Sequence, residues 1–218
     1  MRLLLILCAI MAGVGCSTSG NSTRHAFVLQ PGDLLFQDLD AGPLCDAIET
    51  VTQGVDGAKF SHVGMVSRVQ DGQAVIVEAV GAGVVETPLD AFLSRSKDNA
   101  GNPKVVVGRI DGEARRLVPR AIDVSRSFLG RPYDMVFAID DSTFYCSELL
   151  YESYRLANNG HPIFDLAPMT FKDPSTGETF PAWTSYYADM GVAIPEGKPG
   201  LNPGGMSRAP FVHIVHAY

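Results

Sequence analysis

The amino-acid sequence predicts an α+β protein in which an antiparallel sheet packs against helices. Strand-like patterns come first along the chain and helical patterns later, and hairpin-length connections rather than helical crossovers join the strands. The 218 residues, 46% apolar and 19% charged, suffice for one well-packed core and are too apolar for a disordered chain. A formal net charge of −7 argues against nucleic-acid binding, which requires a basic surface, so we expect no nucleic-acid partner.

Six stretches have the β-branched and apolar composition of strands, and three carry apolar residues at helical spacing. A turn at Gln30–Asp33 precedes the first strand, while Gly130 and Asn158–Gly160 stop the last two helices. Residues 161–208 are rich in proline, glycine and aromatic residues and predict an irregular segment over the core. The predicted strands cover residues 34–36, 60–69, 74–80, 83–87, 104–110 and 211–217, and the predicted helices cover 43–53, 113–129 and 143–158.

The N-terminus has the features of an export signal. Arg2 precedes an apolar run that is too short to cross a bilayer comfortably, and small residues follow it directly before Cys16. A cysteine in this place, followed by polar residues, is typical of a bacterial lipoprotein, although an ordinary secreted protein with Cys16 near its new N-terminus is the alternative. We predict a signal peptide over residues 1–15, a lipid-anchored tether over 16–29 with Cys16 as the lipidated residue, and one domain over 30–218. The protein would then be exported and membrane-anchored, facing the periplasm or the cell exterior.

The folded domain contains two cysteines, Cys45 and Cys146. If Ser142 or Thr143 caps the last predicted helix, Cys146 falls in or just after its first turn. Exposed amide groups and the positive end of the helix dipole favour a thiolate there, as a nucleophile requires. The structural alternatives are a Cys45–Cys146 disulfide, in an oxidising compartment, or a small buried thiol.

Two ionisable residues interrupt apolar strands, His62 in the second and Glu78 in the third. Ile76 and Val80 share a strand face with Glu78 and predict that this carboxylate is buried, where it needs a partner. The connection at residues 70–72 decides whether the two residues meet. A two-residue turn points them to opposite faces, whereas a three-residue loop places them diagonally on one face, roughly 7–8 Å apart. A catalytic pairing therefore predicts the three-residue loop.

Five motifs follow one another along the chain: Gly32-Asp33, Ser61 to Met65, Val77 to Val80, Gly130 to Asp134 and Tyr145 to Glu148. Together they resemble the permuted papain-like NlpC/p60 amidases of the YiiX/YaeF group. In ordinary NlpC/p60 enzymes the cysteine helix precedes the histidine strand, whereas here His62 and Glu78 precede Cys146. The resemblance spans residues 30–155, and residues 202–211 more loosely. It implies a circularly permuted papain-like fold and a cysteine amidase or peptidase-like hydrolase.

The resemblance also assigns a role to each of three residues. Cys146 would attack an acyl carbonyl, His62 would move its proton, and Glu78 would orient the imidazole. We expect neither a cofactor nor a metal, because no ligands have the close spacing of a metal site. The substrate would be an amide of the cell envelope, either a peptidoglycan stem peptide or an N-acylated lipid. The alternatives are a non-catalytic lipid- or peptide-binding lipoprotein and an acyltransferase that uses the same cysteine.

Overall fold

The computed structural model describes residues 27–139 and 142–218. The predicted signal peptide, Cys16 and most of the predicted tether lie outside these ranges. Of the last three tether residues, Phe27 and Leu29 pack against the sheet, while Val28 is exposed. Within the described ranges no helix is long and apolar enough to cross a membrane. The strands are β1 (Leu34–Gln37), β2 (His62–Gln70), β3 (Gln73–Val80), β4 (Gly83–Pro88), β5 (Val105–Ile110), β6 (Ala167–Pro168), β7 (Pro199–Gly200) and β8 (Val212–Ala217). The helices are α1 (Pro43–Val51), α2 (Leu89–Ser94), α3 (Val118–Ser127), α4 (Cys146–Ala157), α5 (Pro181–Met190) and α6 (Pro203–Ser207).

The predicted α+β architecture is confirmed. Six strands form one sheet in the order β4-β3-β2-β1-β5-β8, and every neighbouring pair is antiparallel. All six predicted strands are in this sheet, while β6 and β7 form a separate small ladder. Strand alternation in β1 sends Leu34 and Phe36 to the face that α3 and α4 cover, and Leu35 to the opposite face, which α2 covers. Both faces of the central strands are therefore buried, which explains why their sequences are apolar throughout.

The hairpin between β2 and β3 differs from the prediction at its turn. Gln70 pairs with Gln73, so the loop is the tight two-residue turn Asp71-Gly72, with both residues at positive φ. The predicted three-residue loop is therefore wrong. A β-bulge in β2, between Val66 and Arg68, then shifts the register by one residue. Beyond the bulge the pairing is the one that the three-residue loop was expected to produce.

The helical predictions are correct in place and less accurate in their ends. The predicted helix over 113–129 consists of a 3-10 segment over 112–117 followed by α3, which carries Pro119 in its first turn, where proline is tolerated. The short helix α2 lies between two strands and was not predicted. The segment 161–208 is less irregular than predicted, because it contains α5 and α6. α5 begins at Pro181 and ends at Met190, and the next residue, Gly191, adopts the left-handed conformation that stops helices.

Candidate active site

Cys146 is the first residue of α4, and its side chain is buried. Neither Ser142 nor Thr143 is the cap residue of α4, because Phe144 forms a β-bridge with Tyr133 and the helix begins only at Cys146. Tyr145 takes the cap position, and its backbone N–H donates to the Glu148 carboxylate at 3.3 Å. The sulfur therefore lies at the end of α4 where backbone N–H groups have no partner within the helix.

His62 is the first residue of β2, and its Nε2 lies 2.6 Å from Oε2 of Glu78. The bulge in β2 makes this contact possible, since it pairs Met65 with Val77 and thereby sets Gly64 beside Glu78. His62 is two residues from Gly64 and so points to the same face. Glu78 is fully buried (0% exposed), as its apolar strand predicts.

Arg95, directly after α2, is a site residue that could not be identified from the sequence. Its Nη1 donates to Oε2 of Glu78 at 2.6 Å and its Nη2 donates to Oε1, so the guanidinium forms a bidentate ion pair with the carboxylate. The guanidinium also lies over the Phe92 ring, 5.2 Å from its centroid. No sequence motif marks Arg95, because its approach to Glu78 depends on how α2 folds back over β3.

The charges of the site follow from these contacts. Burial lowers the pKa of His62, but its hydrogen bonds to Cys146 and Glu78 outweigh this effect and raise the pKa to about 9. Burial likewise opposes ionisation of Glu78, yet hydrogen bonds from Arg95 and His62 lower its pKa to about 2. At neutral pH the site thus contains an imidazolium held by a carboxylate. Since Nε2 of His62 faces Glu78, Nδ1 is the ring nitrogen left for the sulfur of Cys146.

Tyr133 belongs to the Gly130–Asp134 motif and lies close to Cys146. Burial and then the charge of Cys146 raise the pKa of Tyr133 well above its ordinary value, so the hydroxyl keeps its proton at every physiological pH. The motif is held in place by β4, because Gly83 brings its backbone against the Arg131 carbonyl where a Cβ would clash. The motif contributes to the family resemblance, but its sequence alone indicates no role for Tyr133.

A cleft of about 760 Å³, open to solvent, lies against Cys146. The Tyr133 and Phe137 rings form part of its wall, together with residues of α1 and Trp183 of α5. The wall therefore includes part of the segment 161–208, which was predicted to be irregular.

The structure contains neither the alternative disulfide nor, among the described residues, a cluster of metal ligands. Cys45 and Cys146 are both free thiols, so the alternative of a disulfide between them is not realised. Burial raises the pKa of Cys45, which also contacts Ser61. Across residues 27–139 and 142–218, no group of three or more His, Cys, Asp or Glu side chains could hold a metal ion.

Gly64 offers a direct test of how closely the site is packed. A Cβ at this position would lie 2.5 Å from Cγ2 of Ile76 and 3.3 Å from Cβ of Glu78. We expect Gly64→Ala to lower the free energy of unfolding by about 1–3 kcal/mol through overpacking, and to slow the reaction of Cys146 with iodoacetamide at pH 6. Urea unfolding and alkylation rates measure the two effects. Gly72→Ala is the control for the hairpin, since a Cβ there meets no atom within 4 Å and only the turn is strained; an equal loss of Cys146 reactivity in both variants would contradict the close approach.

Comparisons with known proteins identify the family of this chain. A family model described as "Permuted papain-like amidase enzyme, YaeF/YiiX, C92 family" matches residues 28–216. The uncharacterized protein YiiX of Escherichia coli strain K12 is 30% identical over 135 residues, which are 61% of this chain and 61% of that relative's length. The crystal structure of metalloprotein YiiX from Escherichia coli O157:H7 matches with a TM-score of 0.69 at 25% identity, over 88% of this chain and 99% of that one. The chain therefore belongs to the permuted papain-like amidase family of YaeF and YiiX, family C92.

Proposed function

We propose that this protein is a cysteine amidase that cleaves an amide bond in a cell-envelope substrate, with Cys146 as nucleophile, His62 as proton carrier and Glu78 as its partner. The observation that carries the proposal is the position of His62. At the start of β2, its ring contacts Glu78 on one side and Cys146 at the start of α4 on the other. A nucleophile, a base and a group that orients the base form the minimum set for thiol catalysis.

The proposed reaction begins from a thiolate and an imidazolium. The Cys146 sulfur attacks the carbonyl carbon, and the carbonyl electron pair moves to oxygen. The backbone N–H of Cys146, which has no partner within α4, donates to this oxyanion, and the protonated Tyr133 hydroxyl supplies a second donor. When the intermediate collapses, the C–N bond breaks and His62 gives its proton to the leaving amine, which leaves a thioester on Cys146.

The second half of the reaction releases the acyl group. His62, now neutral, takes a proton from water as the water oxygen attacks the thioester carbon. The C–S bond breaks, the carboxylic acid departs, and the thiolate and imidazolium are restored. An alcohol or amine in place of water would make the protein an acyltransferase, and mass analysis of the products distinguishes the two outcomes.

The YiiX crystal structure is described as that of a metalloprotein, but the residues of the present site do not fit a metal. Both oxygens of Glu78 already accept hydrogen bonds from Arg95, and Oε2 also faces His62. A cation bound by Glu78 would have to displace that guanidinium. The proposed reaction therefore uses the side chains of the site alone.

The cellular location is part of the proposal. The signal-like N-terminus and Cys16 support an exported lipoprotein whose catalytic domain stands near a membrane. Mass spectrometry of the mature protein tests this point, since a diacylated N-terminal Cys16 is expected and an unmodified N-terminus would contradict it.

The reactivity of Cys146 tests the proposed catalytic role without knowledge of the substrate. The cation of His62 lies next to the sulfur and should activate it as a nucleophile, so we expect wild-type protein to react with iodoacetamide at pH 6 far faster than a free thiol does. His62→Gln should reduce this rate roughly 10²-fold or more, toward that of an unactivated thiol. Peptide mapping identifies the alkylated cysteine.

Cys45 is the internal control in the same experiment. It is a free thiol whose pKa burial raises, so it should stay unreactive at pH 6 in every variant. Alkylation of Cys146 no faster than that of Cys45 would contradict an activated nucleophile and favour a binding module on this fold.

A further inference from the structure

A second cavity, of about 420 Å³, lies at the end of β1 that is opposite to the candidate active site. Its wall contains Asp33, which directly precedes β1, whereas His62 pairs with Gln37 at the other end of this strand. The turn before β1, the end of β5, the 3-10 segment over 112–117 and the start of α3 form the wall. The cavity thus includes the Gly32-Asp33 motif, which takes no part in the proposed reaction.

The turn that carries this motif is fixed against α3. Gly32 has a φ of +89°, and a Cβ at this position would lie 2.2 Å from Cγ1 of Val118. The Gln30 N–H donates to Oδ2 of Asp33 at 2.7 Å and closes the turn. The turn and the start of α3 are therefore in close contact and bound the cavity on two sides.

Arg109 lines the cavity and has donors to spare. Its Nε and Nη2 donate to the two oxygens of Asp33 at 2.7 Å each, and Asp33 is only 1% exposed. Nη2 also donates to the Val28 carbonyl at 3.2 Å, whereas Nη1 forms no hydrogen bond with any residue in the described ranges. The charge of Asp33 is thus neutralised, and the two N–H groups of Nη1 remain for a ligand.

Arg115 is the second guanidinium in the wall of the cavity. It is exposed, and within residues 27–139 and 142–218 it has neither a hydrogen-bond partner nor an acid paired with it. The acids next to it in the chain are paired elsewhere, Glu113 with Arg116 at 2.6 Å and Asp111 with His213 at 3.1 Å. The cavity therefore carries one uncompensated positive charge, in a protein whose formal net charge is −7.

From these observations we propose that the second cavity binds a phosphate group, with Arg115 and Nη1 of Arg109 as its hydrogen-bond donors. Guanidinium groups match the oxygens of a phosphate in both charge and geometry. The volume lies within the usual range for small-molecule sites, roughly 300–1,000 Å³, and is larger than one phosphate ion fills. The ligand is therefore a phosphate ester. This inference is independent of the proposed amidase activity.

The path of the N-terminal segment favours one source of the ester. Phe27 lies against the Arg109 guanidinium, 5.6 Å from the ring centroid, so the chain enters the described structure beside the cavity. Cys16 is eleven residues before Phe27, a length of chain that spans at most about 40 Å. If Cys16 carries the proposed lipid anchor, the cavity stays within that distance of the membrane surface. We therefore expect the ester to be a phospholipid headgroup rather than a free phosphate compound.

Calorimetric titration at fixed ionic strength tests the site with two probes. One is inorganic phosphate, and the other is glycerophosphoglycerol, a phospholipid headgroup without acyl chains. Both should bind, and glycerophosphoglycerol should bind at least threefold more tightly. Arg115→Gln should weaken both roughly tenfold or more, because it removes a hydrogen-bond donor that is charged. Arg115 is exposed, so this variant should keep the fold, and its melting temperature checks this.

Arg116→Gln is the matched control. It removes the same charge one residue further along the chain, but Arg116 pairs with Glu113 and does not line the cavity. Phosphate binding should therefore change less than twofold in Arg116→Gln. Alkylation of Cys146 should be the same in both variants as in the wild type, because the length of β1 separates the two sites.

Each outcome decides between specific and general binding. Absence of binding, equal weakening in Arg115→Gln and Arg116→Gln, or equally tight binding of acetate would overturn the phosphate site. Inorganic phosphate that binds as tightly as glycerophosphoglycerol would overturn the headgroup and assign the site to free phosphate. Binding of glycerophosphoglycerol by a protein whose Cys146 is not activated would support this site and contradict the amidase alone.

Discussion

Glu78→Gln is expected to lower amide hydrolysis by roughly 10²- to 10⁴-fold, the range in which loss of the orienting carboxylate affects other triads. The substitution keeps the size of the side chain and removes the charge that stabilises the His62 imidazolium. The pKa of His62 should fall from about 9 toward its ordinary value of 6.5, because one of its two stabilising contacts is lost.

The pH profile of hydrolysis shows whether the lowered pKa of His62 causes the loss of activity. His62 must be protonated to release the leaving amine, so wild-type activity should be present below pH 9 and fall as the pH rises through about 9. In Glu78→Gln this decline should move to lower pH, and alkylation of Cys146 at pH 6 should slow. An acyl amide and iodoacetamide are the two probes.

Glu86→Gln is the matched control. Glu86 lies on the neighbouring strand β4, is partly buried, and forms ion pairs with Arg68 and Arg126 rather than with His62. Its loss should affect stability alone, so that the two glutamate variants differ in pH profile even if their melting temperatures fall alike. If the pH at which activity declines is the same in Glu78→Gln as in the wild type, Glu78 does not set the charge of His62.

Arg95→Met is expected to raise the pKa of Glu78 and to give the enzyme a new acidic limit. An adjacent arginine lowers a carboxyl pKa by roughly 1–3 units, so without it Glu78 should titrate between about pH 3 and 5 rather than near 2. Below that pH the carboxyl becomes neutral and can no longer stabilise the imidazolium. Alkylation of Cys146 across pH 3 to 7, with circular dichroism to confirm the fold at each pH, measures the shift.

Arg95→Lys separates charge from geometry. A lysine keeps the positive charge, so in Arg95→Lys the pKa of Glu78 should stay low and the new acidic limit of Arg95→Met should not appear. The lysine cannot form the bidentate hydrogen bonds of the guanidinium to Oε1 and Oε2, so turnover at neutral pH should recover only in part. Because Arg95 is expected to act through Glu78, Arg95→Met should have no further effect on alkylation in a Glu78→Gln background. If the effects of Arg95→Met and Glu78→Gln on the alkylation rate are fully additive, Arg95 does not act through Glu78.

The ion pair of Arg109 with Asp33 is the structural control for Arg95. Arg109 donates to both Asp33 oxygens at 2.7 Å, and the two pairs have similar burial, with a fully buried acid and a partly exposed arginine. Arg109→Met should therefore destabilise the protein by a similar amount without moving the acidic limb. An equal shift in both variants would indicate general loosening of the fold instead of a specific action on Glu78.

Several features could be predicted because they depend on neighbours in the chain. Alternation of apolar residues located the six strands, and the Asn158–Gly160 stop located the end of α4, since side-chain periodicity and turn chemistry are local properties. The same reasoning placed Glu78 in the interior. The resemblance of the motifs further indicated the family, which the match over residues 28–216 confirms.

Other features depend on contacts between distant segments and could not be read from local patterns. The turn was mispredicted because a bulge inside β2 and an extra loop residue shift the register equally, and packing of β2 against its neighbours selects between them. The start of α4 was predicted three residues too early, at Thr143 instead of Cys146, because Phe144 forms a β-bridge with Tyr133 that no local pattern indicates. The hydrogen bonds of Arg95 to Glu78 join residues that are 17 positions apart in the sequence, so no local pattern indicates them.

The sequence by itself therefore determined the α+β class, the order of the strands along the chain, the family resemblance and the candidate residues Cys146, His62 and Glu78. Tertiary structure alone decided how these residues meet and what surrounds them, including Arg95 and the cleft beside Cys146. The physical reason is the range of the forces involved. Periodicity and capping act over a few residues, whereas the partner of a buried charge and the shape of a cleft are set by whichever segments the folded core brings together.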